Sequence, residues 1–294
     1  MTFNPNANVG GNRARRRGRN TAIAGGGIVG LGAIVVLLFS VFTGVDLTGL
    51  LGNTTGSGSA LQPGSNSSAP ITECETGADA NENDDCRMAA GSLAVNQFWE
   101  ERVEGYREPT LTIVEGATST GCGTASNTVG PFYCPADEGV YIDPDFFAMM
   151  RTQLGASANE LAQLYILAHE YGHHVQNLVG AMQAYPNNGT GPASNGVRME
   201  LQADCYAGAW VGAMTEQTDA NGVAYLQAPT EQQLADALNA TESVGDDHIQ
   251  EQSGFVNPES WTHGSSEQRQ AWFTRGYQND VGACDTFGID GSEL

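Results

Sequence analysis

The 294-residue chain has no lysine, and no acidic residue precedes Asp46. Its basic charge is twelve arginines against 34 acids, and five of them (Arg13, Arg15, Arg16, Arg17 and Arg19) fall in the first 19 residues. From Asp46 onward seven arginines stand against all 34 acids, a formal charge of −27. Such a surface repels a phosphate backbone, which excludes nucleic acid as a partner. There is also no C-x-x-C pair among the six cysteines, which argues against a thiolate metal site. No internal repeat is present.

Residues 21–45 contain no charge at all. Their core, residues 28–45, reads IVGLGAIVVLLFSVFTGV. About 20 apolar residues cross a bilayer as a helix. The arginine cluster just before this run predicts a cytoplasmic N-terminus, with the rest of the chain outside. No A-x-A cleavage site follows, so the run reads as an anchor rather than a signal peptide. The expected organisation is an Arg-rich cytoplasmic tail at 1–20, a transmembrane anchor at 21–45, a flexible linker at 46–72 and an extracytoplasmic domain at 73–294. The tail and the linker are polar and carry no apolar period, so neither is expected to fold.

The cysteines agree with export. All six follow the apolar run, and an even count in an exported domain predicts disulfides. Proximity favours Cys74–Cys86 and Cys122–Cys134. That leaves Cys205–Cys284 to tie the C-terminal tail to the core.

Within the domain the periodicity predicts helices at 88–104, 158–179, 197–217, 230–243 and 265–278. Asn159 or Ser157 is expected to cap the second, Thr230 the fourth, and a Ser265–Gln268 capping box the fifth. Short strands are expected at 111–116 and 140–143, with a disulfide-closed loop between them. The fold class is α+β: a mostly helical domain with a small sheet before the main helices.

The chemistry lies in His169-Glu170-Tyr171-Gly172-His173. Residues four apart on a helix share a face, so two imidazoles can meet one ion at about 2.0–2.1 Å. Glu170 can then reach a metal-activated water as general base without ligating the metal. A catalytic zinc usually takes three protein ligands and keeps one open position. No H-x-x-G-x-x-H continuation follows His173, which excludes a third histidine on that pattern. The next helix carries Glu200 and Asp204 four residues apart among apolar neighbours, so both acids should be buried and bound to something. Glu200 is expected as the third ligand. Asp204 is expected to accept a hydrogen bond from the far ring nitrogen of His169. The cofactor implied is one catalytic Zn2+.

Other candidates carry less. His263 stands just before the 265–278 helix and is a candidate to stabilise an oxyanion. Tyr171 and His174 read as packing residues. Asp246 and Asp247 do not make a calcium loop. The strand holding Tyr141 is a candidate to pair with an extended peptide, although an aromatic there reads first as core.

The blocks GPFYCPAD (130–137), VYID (140–143), HEYGHHVQ (169–176), ELQADCYAGAW (200–210), GDDHIQ (245–250) and HGSSEQRQAWFTRGY (263–277) together resemble the bacterial YpfJ-like neutral zinc metallopeptidases. The resemblance covers about residues 72 to 288. It implies a zincin-like, thermolysin-like layout with His, His and Glu ligands, and an N-terminal membrane anchor. One departure is His248, which stands where the family often has arginine. The function expected is a zinc endopeptidase acting on peptides or proteins near the outer membrane surface. The alternatives are a membrane-tethered scaffold with structural zinc and a zinc amidase acting on cell-wall peptides.

Overall fold

The computed structural model describes residues 2–17, 68–116, 118–125, 130–153, 156–251 and 254–294. The span expected at 21–45 lies outside these residues. Among the described residues no helix is long and apolar enough to cross a membrane.

A mixed sheet has the order β2-β1-β3-β7-β6, formed by β1 (Arg15–Arg17), β2 (Ser68–Pro70), β3 (Thr110–Val114), β6 (Phe132–Cys134) and β7 (Gly139–Ile142). β1 and β7 run parallel to β3, while β2 and β6 are antiparallel to their neighbours. A separate hairpin pairs β4 (Thr118–Thr120) with β5 (Gly123–Ala125). The stretch between the two expected strands is therefore not a plain loop but holds this hairpin and β6. The loop is closed as expected by Cys122–Cys134.

The tail expected at 1–20 is not a tail over its described part. Residues 2–17 pack into the domain and end in β1, an interior strand of the sheet. Three arginines in a row carry no apolar period. Their strand forms because the sheet edge and nearby acids receive it, a non-local cause that periodicity does not report.

The helices are α1 (Gly77–Glu82), α2 (Asp84–Glu100), α3 (Asp145–Gln153), α4 (Glu160–Leu178), α5 (Ala181–Ala184), α6 (Asn195–Gly212), α7 (Glu231–Ser243), α8 (Asp246–Glu251) and α9 (Ser266–Asn279). The caps explain several of the boundaries. Asn83 accepts the Cys86 amide at the start of α2, and Thr230 and Ser265 form capping boxes with Gln233 and Gln268. Asn159 precedes α4 but makes no side-chain cap bond. α1, α3, α5 and α8 are absent from the sequence expectation because each is only four to nine residues long, too short to set out a helical period.

The helix α4 is the axis of the molecule. Every residue from Leu161 to Gln176 is buried, as suits a helix surrounded on all sides. It meets α2, α6, α7 and β6. α6 lies between α4 and α9, and its most extensive packing is on α9. The α4–α6 approach depends on Gly172, where a Cβ would sit 3.1 Å from Ala203 Cα. Cys74–Cys86 anchors the chain before α1 to the start of α2, and Cys205–Cys284 joins α6 to the C-terminal segment. All three pairings match the expectation.

Candidate metal centre

His169 and His173 project from one face of α4, and Glu200 projects from α6 directly opposite. All three are buried, and their ligand atoms lie within 4.8 Å of one another. Glu200 Oε2 is 3.2 Å from His169 Nε2, and its Oε1 is 3.5 Å from His173 Nε2. Donors bound to one tetrahedral zinc at ~2.0–2.1 Å sit about 3.3 Å apart. The donor set and its spacing therefore fit a single zinc ion.

The far side of each imidazole is fixed by a separate partner. His169 Nδ1–H donates to Asp204 Oδ1 at 2.8 Å, and His173 Nδ1–H donates to Gln176 Oε1 at 2.8 Å. Both tautomers thus leave Nε2 for the metal. Gln176 is in turn held by the Met199 carbonyl at 2.7 Å and by Gln202, whose amide reaches the Cys284 carbonyl at 2.9 Å. Asp204 is fully buried and receives the Tyr165 hydroxyl and a two-pronged contact from Arg269. Sequence reasoning did not single out Tyr165, Gln176 or Arg269.

Electrostatics follow from this packing. Burial would lower the His169 pKa, but Asp204 and Glu200 more than offset it and push it up to about 10. His173 is instead pushed down to about 4 by burial, against the pull of Glu200. Burial alone would raise Glu200 and Asp204. The two histidines hold Glu200 well below the usual carboxylate range, and Arg269 with His169 does the same for Asp204.

Glu170 follows His169 on α4 and is not one of the grouped ligands. Burial pushes its pKa up to about 7, with Glu200 adding to the rise and His169 opposing it. The Tyr133 backbone amide on β6 also opposes the rise. Oε2 has no hydrogen-bond partner among the described residues. A buried carboxylate with an open oxygen and a pKa near neutrality is equipped to take up a proton and give it back.

The remaining candidates are also placed. His263 is buried, and its Nδ1 lies 2.8 Å from Thr262 Oγ1 and 3.2 Å from Asp246 Oδ1. Burial would lower its pKa, but Asp246 and then Glu200 raise it, so His263 is within electrostatic reach of Glu200. Asp246 Oδ2 accepts the backbone N–H groups of Thr262, His263 and Gly264. Asp247 accepts both the amide and the hydroxyl of Ser266. Both aspartates therefore build the turn into α9. His174 is fully buried and bridges Tyr133 Oη and the Arg107 carbonyl. Tyr141 lies in β7, between β3 and β6, so its strand offers no edge to a peptide. Its ring stacks on Phe132.

A buried His-His-Glu centre, with an H-E-x-x-H helix supplying both imidazoles, defines a metalloprotein of the zinc metallopeptidase class. A family model described as "Putative neutral zinc metallopeptidase" matches residues 4–287, the N-terminal segment included. The chain belongs to this family. It is 41% identical to YpfJ of Escherichia coli K12 over 271 residues, which cover 88% of this chain and 86% of the relative. It is 49% identical to the Mycobacterium tuberculosis protein Rv2575 over 220 residues, 74% of this chain and 75% of the relative. Both relatives are described as uncharacterised. No solved structure matches the chain.

Proposed function

We propose that the protein is a zinc-dependent endopeptidase that acts on peptides or proteins outside the cytoplasm. The observation that carries this reading is the placement of Glu170: a buried carboxylate beside the three-ligand group, with one oxygen free to exchange a proton. Zinc at this site would acidify a water and polarise the scissile carbonyl. Glu170 accepts the proton of the attacking water and delivers it to the leaving amine nitrogen. Asp204 and Gln176 hold the two imidazoles in the ligating tautomer. His263, steadied by Asp246, contributes positive charge toward the oxyanion of the tetrahedral intermediate. The three disulfides support a site outside the reducing cytoplasm.

The test is Glu170→Gln in purified, zinc-loaded protein offered a peptide library. The variant should bind zinc as the parent does and lose cleavage by at least about 100-fold, the usual scale of general-base catalysis. Undiminished cleavage would overturn the proposal.

A further inference from the structure

The interior position of β1 has a topological consequence. Arg15, Arg16 and Arg17 pair antiparallel with Pro70, Ala69 and Ser68 on one side, and parallel with Thr112, Ile113 and Val114 on the other. The residues before them continue the same packing. Phe3, Ala7 and Val9 are fully buried, and Ala14 nearly so. The backbone of this segment is tied to the domain at Asn4 N to Tyr225 O, Gln227 N to Thr2 O, Val9 N to Glu75 O and Gly77 N to Ala7 O, each 2.9 Å. The Asn81 side chain takes the amides of Thr2 and Phe3 and returns a hydrogen bond to the Phe3 carbonyl. Gly77 is shaped to the segment, because a Cβ there would lie 1.9 Å from Asn4 O.

Charge points the same way. Arg16 pairs with Glu73 and Asp85, and Arg13 with Glu108. Arg17 donates to Thr118 Oγ1 and the Ser119 carbonyl. The arginines that a positive-inside reading assigns to the cytoplasm are bonded to the acidic, disulfide-bonded domain. Paired strands lie about 4.7–4.9 Å apart, whereas the two faces of a bilayer core are separated by about 30 Å. One crossing between Arg17 and Ser68 cannot leave those two residues paired.

We propose that residues 2–17 lie on the same side of the membrane as the disulfide-bonded domain, as a structural strand of it. This inference does not depend on the peptidase reading.

Two measurements on the full-length protein in bacterial cells test it. The first is Gly11→Cys, a position where a Cβ meets no atom within 4 Å, probed with a membrane-impermeant maleimide in intact spheroplasts. Gly282→Cys, equally open, is the domain control. Both thiols should label to the same extent without permeabilisation. Labelling at position 11 only after permeabilisation, with position 282 labelled before it, overturns the proposal. The second is the double variant Arg16→Cys with Ala69→Cys, cross-strand partners whose Cα separation of about 4.5–5.5 Å suits a disulfide. Thiols are blocked before lysis and the unreduced protein is mapped by mass. A crosslink between the two introduced thiols supports the shared compartment. A blocked, uncrosslinked thiol at position 16 in protein whose native disulfides are intact counts against it.

Discussion

His169 Nδ1 lies 2.8 Å from Asp204 Oδ1, and the carboxylate that receives it is fully buried. That oxygen also takes the Tyr165 hydroxyl at 2.5 Å, and Arg269 reaches both carboxylate oxygens, at 2.7 and 3.0 Å. A single aspartate thus fixes the tautomer of a histidine in the candidate metal group, and a single arginine keeps that aspartate ionised.

Asp204→Asn keeps the shape but not the charge, and its amide can present N–H to a ring nitrogen that needs an acceptor. Zinc affinity should fall by ~10–100-fold, the usual cost of losing the partner of a ligating histidine. Competition against a chromophoric chelator reads the change. Unaltered affinity would show that Asp204 does not orient His169.

Arg269→Met removes the cation and leaves Asp204 charged in a dry interior. Breaking a buried pair from one side costs about 3–5 kcal/mol, so the urea midpoint of the metal-free protein should drop sharply. Arg269→Lys restores charge but not the planar fork, and should recover only part of the loss. A midpoint equal to that of the parent in the methionine variant would remove Arg269 from this role.

The legibility of the site tracks how local its physics is. The H-E-x-x-H spacing is a property of one helix, so His169, Glu170 and His173 could be read directly. Glu200 and Asp204 were legible because acids at helical spacing among Leu201, Ala203 and Trp210 must be buried and bound. Arg269 was not, since its partner lies 65 residues away and its local sequence, SEQRQ, looks solvated. The one clue was its place three and four residues before Trp272 and Phe273, on the face that α9 buries. Residues 2–17 were less legible still. Short polar strands have no period of their own, and this one is specified by acids and strand edges far away in sequence.

The Cys205–Cys284 disulfide spans 79 residues, next to Asp204 at one end and bonded through the Cys284 carbonyl to Gln202 at the other. Replacing both cysteines with serine should cost ~2–5 kcal/mol, chiefly by freeing the unfolded chain. Because Gln202 supports Gln176, which holds His173, zinc affinity should fall as well. Loss of stability with unchanged affinity would show that the disulfide braces the fold but not the metal ligand.

Asp143, far from these ligands in sequence, gives the pH prediction. It precedes α3 and accepts the Asp145 amide through Oδ1, while Oδ2 has no partner among the described residues. Burial pushes its pKa up to about 6, partly opposed by that amide and reinforced by the Asp145 charge. The folded state therefore binds this proton more tightly than the unfolded chain does. Stability from this group is intact below the unfolded value near 3.8 and is lost as pH rises through about 6. Asp143→Asn keeps an acceptor for the Asp145 amide and carries no charge at any pH. The variant should match the parent near pH 4 and exceed it above pH 7 by on the order of 2–3 kcal/mol, the linkage value of a shift of about two units. Urea titrations of the metal-free proteins across this range give the difference directly, and taking variant minus parent cancels the other carboxylates. A difference that stays flat between pH 4 and pH 7 would mean that the Asp143 carboxylate is solvated in the native protein and that its burial at the start of α3 is wrong.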